Sequence, residues 1–573
     1  MKKALAVLMA LCLMLTAVGA LADSAAVNDP GTLPIVNDPI TLTIGLEQSA
    51  VVEDWETNEE TLYLEDKTGI SLDFVVYPSN EMGTKLELIV AAGGSDLPDM
   101  LMGSFTQNQI MPWAEAGMIQ PLTEYYDNLV YWAAQNLEGN ENYNMDVVRR
   151  YLTSYDGEIY GFFSLNTTEN NQYSGTRINF YVPWLEKLGL EKPTTLEDFY
   201  NVLVAFRDQD PNGNGEADEI PLTCYSDGIE NLRRALMTPF VYTQADYWTV
   251  DENGTIGVAF NTDEWREGLR FVRKLFAEGL ADPAMFTQDQ AAMTVTLSQE
   301  TQVVGAFGRF SSTCMSATDL NRYNYDRQDY FTGYDGETVA AVKPAIPSIT
   351  ALITKNCANP EAAFMLCDYL TSTEMSIITR FGYEGDTYSA VDQDAVRPEY
   401  ENFWANVAAY NYPEIYYGDD TSNYYYMPLN EFSYDASLWG TLQNKWWAQT
   451  GPNIMTEETN VRFTISGNID TEIEQASYVN EYRARHALND AKQYRDDSKV
   501  VAGLVYTEDE QEVITDYYSE IKTYIETMWA SYATGTADIE DDDTWNEYIS
   551  QLEKMGLADC IEATQTCYDR MNG

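Results

Sequence analysis

Thr41–Leu46 reads TLTIGL, Glu56–Lys67 reads ETNEETLYLEDK, Ser71–Tyr77 reads SLDFVVY, Glu81–Ala92 reads EMGTKLELIVAA and Pro98–Met102 reads PDMLM. The first and third stretches alternate or run apolar with β-branched residues, as strands do. The second and fourth carry apolar residues at helical spacing. The fifth is short and apolar, a candidate buried strand. Strands alternating with helices predict parallel βαβ units and an α/β class. Ligands of such sheets bind beyond the carboxyl ends of the strands. Gln48 and Gly103–Ser104 fall there, so Gln48 and Ser104 are candidate ligand-binding residues.

Working outward, residues 155–163, YDGEIYGFF, read as a hairpin with Asp156-Gly157 at the turn. Trp184–Arg207 is helical with a break at Pro193-Thr194-Thr195, and Thr195 followed by Asp198 suits a helix N-cap. Helices follow at Thr262–Glu278 and Glu361–Thr371, with Thr301–Ala306 as a return strand. Thr507–Thr534 and Thr544–Met555 are long and amphipathic. Residues 23–38 are small and polar and read as a linker.

At the N-terminus, Lys2-Lys3, the apolar run Ala4–Val18 and Ala20-Leu21-Ala22 form the basic, apolar and cleavage regions of a signal peptide over residues 1–22. The run is shorter than the roughly 20 residues of a membrane-spanning helix, so the mature chain is expected outside the cytoplasmic membrane, in the periplasm or on the extracellular face. Cys12 lies inside the apolar run, and no lipid attachment site is read there. The six later cysteines have irregular spacing and read as buried thiols. Cys560 and Cys567 are too far apart along a helix to bridge.

The 573 residues carry 33 Lys+Arg against 91 Asp+Glu, a formal net charge of -58. Nucleic-acid binding through a basic surface is excluded, because phosphate neutralisation needs clustered cations. At 45% hydrophobic residues the chain is too apolar to be a disordered acidic one. The single histidine, His486, argues against imidazole catalysis and His-ligated metals. Tyr 41 and Trp 12 supply many flat faces with polar edges, which suit hydroxylated ligands.

Asp208–Pro221 reads DQDPNGNGEADEIP. Oxygen ligands at alternate positions, with glycines for a tight turn, are what calcium needs. Two registers are open. One starts at Asp208 and ends on Glu219 in the twelfth place. The other uses Asp210, Asn212, Asn214, the Glu216 carbonyl, Asp218 and Glu219. A structural Ca2+ is the expected cofactor, since the loop joins a helix to a strand.

Four stretches carry a resemblance. Trp184–Leu190 (WLEKLGL) leads through Pro193-Thr194-Thr195 to Asp210–Gly215 (DPNGNG) and Asp218–Pro221 (DEIP). Leu275–Pro283 (LFAEGLADP) follows, with Phe286-Thr287. Next come Ile353–Cys357 (ITKNC), Pro360–Ala363 (PEAA), Asp368-Tyr369-Leu370 and Phe381–Gly385 (FGYEG). The C-terminus adds Trp545, Tyr548, Met555–Leu557 (MGL) and Tyr568-Asp569-Arg570. In this order, from Phe180 onward, the chain resembles the extracellular solute-binding protein family 1 of carbohydrate ABC importers. It is most similar to the large calcium-containing oligosaccharide binders that include the alginate-binding proteins. It departs from them in lacking the lipobox cysteine, in Tyr181-Val182-Pro183 before the Trp-Leu helix, and near Glu374-Met375.

The resemblance implies a periplasmic-binding-protein-like (type II) fold of two α/β lobes joined by a hinge, with an oligosaccharide held in the cleft. The N-terminal lobe would take 39–170 plus about 300–370, and the C-terminal lobe 171–299 plus about 371–573. It favours the Asp210 register for calcium. It implies a monomer that hands its ligand to the transmembrane subunits of an ABC permease. Trp404, Trp439, Trp446 and Trp447, in a tract rich in tyrosine, are candidate stacking residues. Arg309 is a candidate donor to sugar hydroxyls, and Trp113 and Trp248 are further possibilities. The competing readings are a secreted glycan hydrolase or lyase and an extracellular scaffold. No pair of carboxylates singles itself out for the first, and no repeats support the second.

Overall fold

The computed structural model describes residues 26–383 apart from 141–142, 169–171, 173–176 and positions 245, 310, 317 and 329. It further describes 388–390, 432–434, 444–447, 449–456, a discontinuous set from 476 to 488, and 490–572. The expected signal peptide at 1–22 and the aromatic candidates Trp404 and Trp439 lie outside the described residues.

The chain divides into two compact units. One is drawn from residues up to Asn166 with Pro347–Ser389 and Tyr434–Asn460. The other is drawn from Thr167–Ile346 with Ala390–Ser433 and Val461–Gly573. Relative to the expected partition, 300–346 falls in the second unit, and 371–389 and 434–460 fall in the first. The reason is strand pairing: Val304–Gly308 and Tyr325–Gln328 hydrogen-bond into the second unit's sheet. The helix Thr373–Phe381 stays by the first unit's sheet, where the Ser376 hydroxyl accepts from Ile454 N.

The first unit is built on a sheet that begins with β1 (Ile40–Glu47), β2 (Ile70–Tyr77), β3 (Met100–Phe105) and β4 (Gly161–Asn166). β1 lies between β2 and β3, parallel to both, with Ile40 opposite Ile70 and Ile44 opposite Met100. Ser348–Ile353 runs antiparallel between β3 and β4, and Ile454–Met455 closes the far edge parallel to β4. Leu42, Ile44, Gly45 and Leu46 are all buried, as expected of a central strand covered on both faces. The helices that cover it start and stop where local chemistry directs. Asn58 accepts from Glu60 N to cap Glu59–Thr68, and Gly69 ends that helix at φ 75°. Thr106 and Gln109 form a capping box at the start of Gln107–Glu115. The predicted hairpin forms a single bridge, Thr153 to Ile159, with Gly157 at φ 90° in the turn.

The second unit's sheet has the order Tyr325–Gln328, β5 (Ile178–Tyr181), Val304–Gly308, β6 (Ile220–Thr223). Its core joins β5, the helices Leu196–Asp208 and Asp263–Ala277, and the C-terminal helices Ser519–Thr534, Asp542–Lys554 and Leu557–Asn572. Trp265, Trp529, Tyr532, Trp545 and Tyr548 are buried in it. Trp248 is buried there too, stacked on Tyr518 at 4.5 Å between centroids, so it offers no ring face to a ligand. Thr195 accepts from Asp198 N at 3.1 Å, the predicted N-cap. The six cysteines are all free thiols and, except for Cys314, buried. Among the described residues no helix is long and apolar enough to cross a membrane.

Candidate functional site

At the carboxyl ends of β1 and β3 the first unit opens a cavity of about 860 Å³, inside the roughly 300–1,000 Å³ span of small-ligand pockets. Gln48 and Ser104, the two residues placed by strand-end reasoning, both line it. Antiparallel pairing explains the rest of the wall: Ser348–Ile353 enters the sheet where β3 leaves it, so Ser348 and Thr350 face the same cavity. Ser164 comes from β4.

The lining is rich in hydroxyls, from Ser49, Ser79, Ser104, Ser164, Ser348 and Thr350. Each hydroxyl can donate one hydrogen bond and accept up to two. The Thr350 side chain is 8% exposed, and its hydroxyl has no protein partner among the described residues. A buried hydroxyl of this kind gains free energy when a ligand or water reaches it. Gln48 is steadied by donating its Nε2 to Ser49 O at 3.1 Å.

Phe105 and Trp113 add an apolar wall, with ring centroids 6.4 Å apart and planes at 72°. Phe105 was not foreseen from the sequence. It closes β3, one residue beyond Ser104, and counting one step past Gly103–Ser104 would have found it. Glu47 and Thr350 were also missed, because strand-end counting is blind to the last residue of the strand itself and to an antiparallel partner.

Trp446 and Trp447 must be corrected. They are 2% and 0% exposed, so no indole face is open for a sugar. Trp447 packs edge-on to Trp55 and Phe74, donates Nε1 to Thr61 Oγ1 at 2.8 Å, and donates its backbone N–H to Glu60 at 2.6 Å. These indoles close the core over the helix Glu59–Thr68. Arg309 belongs to the second unit and is held by Gln290 Oε1 at 3.1 Å and Ser311 O at 2.9 Å.

The acidic loop between Leu196–Asp208 and β6 separates the two registers. Asp208 is taken by Arg207, with Nε to Oδ1 at 2.6 Å. Asp210, at φ 46°, turns inward and accepts from Gly213 N at 2.8 Å and Gly215 N at 3.1 Å. Asn212 and Asn214 donate to Asp218 at 2.9 Å and 3.0 Å. Gly213 and Gly215 at φ 77° and 79° supply left-handed turns that only glycine adopts readily. One Glu219 oxygen is buried without a partner. Burial, then the neighbouring Asp218 and Asp210 charges, push its carboxyl up from the usual range. Glu216 is exposed, with its N–H donated to Asn214 Oδ1 at 2.7 Å. Among the described residues no group of three or more His, Cys, Asp or Glu side chains is already gathered to hold a metal ion. The fit of the loop to a cation rests instead on the stranded Glu219 oxygen and on amide oxygens, which keep a second lone pair.

The family model for bacterial extracellular solute-binding proteins matches residues 46–376. The chain is 24% identical over 526 residues to the fructooligosaccharide ABC transporter substrate-binding protein FusA of Streptococcus pneumoniae, covering 88% of this chain and 86% of that one. A solved S. pneumoniae FusA EF-hand mutant in complex with fructo-nystose superposes with a TM-score of 0.67 at 22% identity, over 92% of this chain and 99% of that one. The alginate-binding protein AlgQ2, solved without calcium ion, gives 0.59 at 19% identity, over 93% and 99%.

Proposed function

We propose that this chain, which belongs to the bacterial extracellular solute-binding proteins, captures an oligosaccharide and delivers it to the transmembrane subunits of an ABC importer. The protein is a binding protein and not an enzyme. The observation that carries the ligand class is the first unit's cavity, where an aromatic wall of Phe105 and Trp113 meets a ring of serine and threonine hydroxyls. Sugar rings pack C–H faces on aromatic planes, and their hydroxyls need both donors and acceptors. Gln48 and Ser104 act as hydroxyl partners at this cavity, and Arg309 is a further candidate donor to sugar hydroxyls. The basic, apolar and small-residue sequence of positions 1–22 supports export, with the mature chain acting as a monomer at the outer face of the membrane.

Asp210, Asn212, Asn214, the Glu216 carbonyl, Asp218 and Glu219 would hold a structural Ca2+ in the loop. Bound there, it would give the unpartnered Glu219 oxygen a cation and tie the loop between helix and strand. The reading is tested by a thermal-shift screen of the mature chain over defined oligosaccharides, with product analysis on the same samples. Stabilisation without turnover is the expected result. Product formation, or the absence of any stabilising glycan, would overturn it.

A further inference from the structure

The charge of the cavity lining has a consequence for which sugars enter. Two carboxylates line it, Glu47 and Glu87, and among its described lining residues there is no lysine or arginine. The cation on the flanking helix, Lys85, is bonded to Glu81 at 3.2 Å and does not line the cavity.

Two helices begin at this wall, and a helix N-terminus is the usual substitute for a cationic side chain. Neither is open. Glu47 Oε1 accepts from Met82 N at 3.1 Å, at the first turn of Met82–Ala91. The start of Gln107–Glu115 is closed by its own capping box, with Thr106 Oγ1 accepting from Gln109 N and Gln109 Oε1 accepting from Thr106 N. In this cavity an anionic sugar therefore meets two carboxylates and, among the described lining residues, no lysine or arginine. A neutral sugar meets carboxylate acceptors for its hydroxyl donors, and such charge-assisted bonds are among the stronger ones.

We infer that this cavity selects uncharged oligosaccharides against uronic-acid ones, and that Glu47 is the residue that sets the preference. Its bond to Met82 fixes one carboxylate oxygen on the helix. The other remains available to accept from a sugar hydroxyl and to repel a sugar carboxylate. The inference rests on the receptor reading and adds the charge class of the ligand.

The test is titration calorimetry of the full mature chain with two sets of tri- to pentasaccharides. The first set is neutral, made of gluco-, manno-, xylo- and fructo-oligosaccharides. The second is acidic, made of oligogalacturonides and oligomannuronates. A neutral member should bind at least ~100-fold more tightly than every acidic one, as expected for like charges set side by side. Glu47→Gln should lose about ten-fold in neutral affinity and narrow the gap to the acidic set. Glu87→Lys, which leaves the Met82 contact intact, should narrow the gap from the acidic side.

An acidic oligosaccharide that binds as tightly as the best neutral one overturns the inference and leaves the receptor reading standing. Failure of every saccharide in both sets overturns the two together. A Glu47→Gln protein that keeps both affinities removes Glu47 from the role.

Discussion

Asp208 and Asp210 stand two residues apart and face opposite ways: Asp208 is bound by Arg207 at 2.6 Å, while Asp210 accepts from Gly213 N at 2.8 Å inside the loop. The Asp208 carboxylate already has its cation, so only the inward set competes for an ion. Calcium removal should therefore lower the melting temperature of the native chain. Asp210→Asn should reproduce most of that loss, whereas Asp208→Asn should leave the calcium effect intact. For an ion held at about 100 times its Kd the stabilisation is about 2.7 kcal/mol. Scanning calorimetry with and without chelator checks it; superimposed curves for the native chain would remove calcium from the loop.

Trp447 is a core residue, so its truncation should cost stability and not ligand contact. Trp447→Ala removes a fully covered indole with its Nε1 bond to Thr61 and should destabilise by about 3–5 kcal/mol. The folded fraction should keep its glycan affinity. Denaturant unfolding together with calorimetry on the same sample separates the two, and a large affinity loss at unchanged stability would restore Trp447 as a stacking residue.

Phe105 and Trp113 make the opposite prediction. Phe105 is half-buried at the cavity, and Trp113 is 8% exposed beside it. Phe105→Ala should weaken glycan binding by about ten-fold, in line with an aromatic contact of ~0.5–1.5 kcal/mol plus its buried area. Its melting temperature should move less than that of Trp447→Ala. Equal affinity for the variant and the native chain would take Phe105 out of the site.

The contrast between these aromatics shows where the sequence was legible. β1, β2 and the helix between them follow period and capping, so Gln48 and Ser104 could be placed beyond strand ends before any coordinates. The Asn58 and Thr195 caps are likewise local, written in three or four neighbouring residues. Trp446 and Trp447 are the reverse case. Trp447 bonds to Glu60 and Thr61 and the Trp446 carbonyl accepts from Asn58, all more than 380 positions earlier in the chain, and no local pattern carries such a partner. The same limit explains the shift of 300–346 between units: which sheet a strand joins is decided by remote pairing, as with Val304–Gly308 beside β5. Ser348 and Thr350 entered the cavity for that reason too, through antiparallel pairing with β3.

Glu60 ties the helix Glu59–Thr68 to the Trp447 backbone and sets a pH dependence of stability. Its carboxyl is fully buried, and that burial pushes it up from 4.5 to about 8, against the opposing pull of the Trp447 N–H. The sign follows from linkage: a carboxyl whose folded value lies above its unfolded one stabilises most at low pH. That contribution is whole below about 4.5 and is lost as the pH rises through about 8. Other carboxylates titrate in the same range, so the native curve alone does not isolate it. Glu60→Gln does, because the amide oxygen still accepts from Trp447 N and no longer ionises. The melting temperature of Glu60→Gln minus that of the native chain should rise steadily from pH 5 to pH 8 and level off above. A difference that stays flat across that interval would mean that Glu60 titrates as a solvated carboxylate and that its buried bond to Trp447 does not persist in solution.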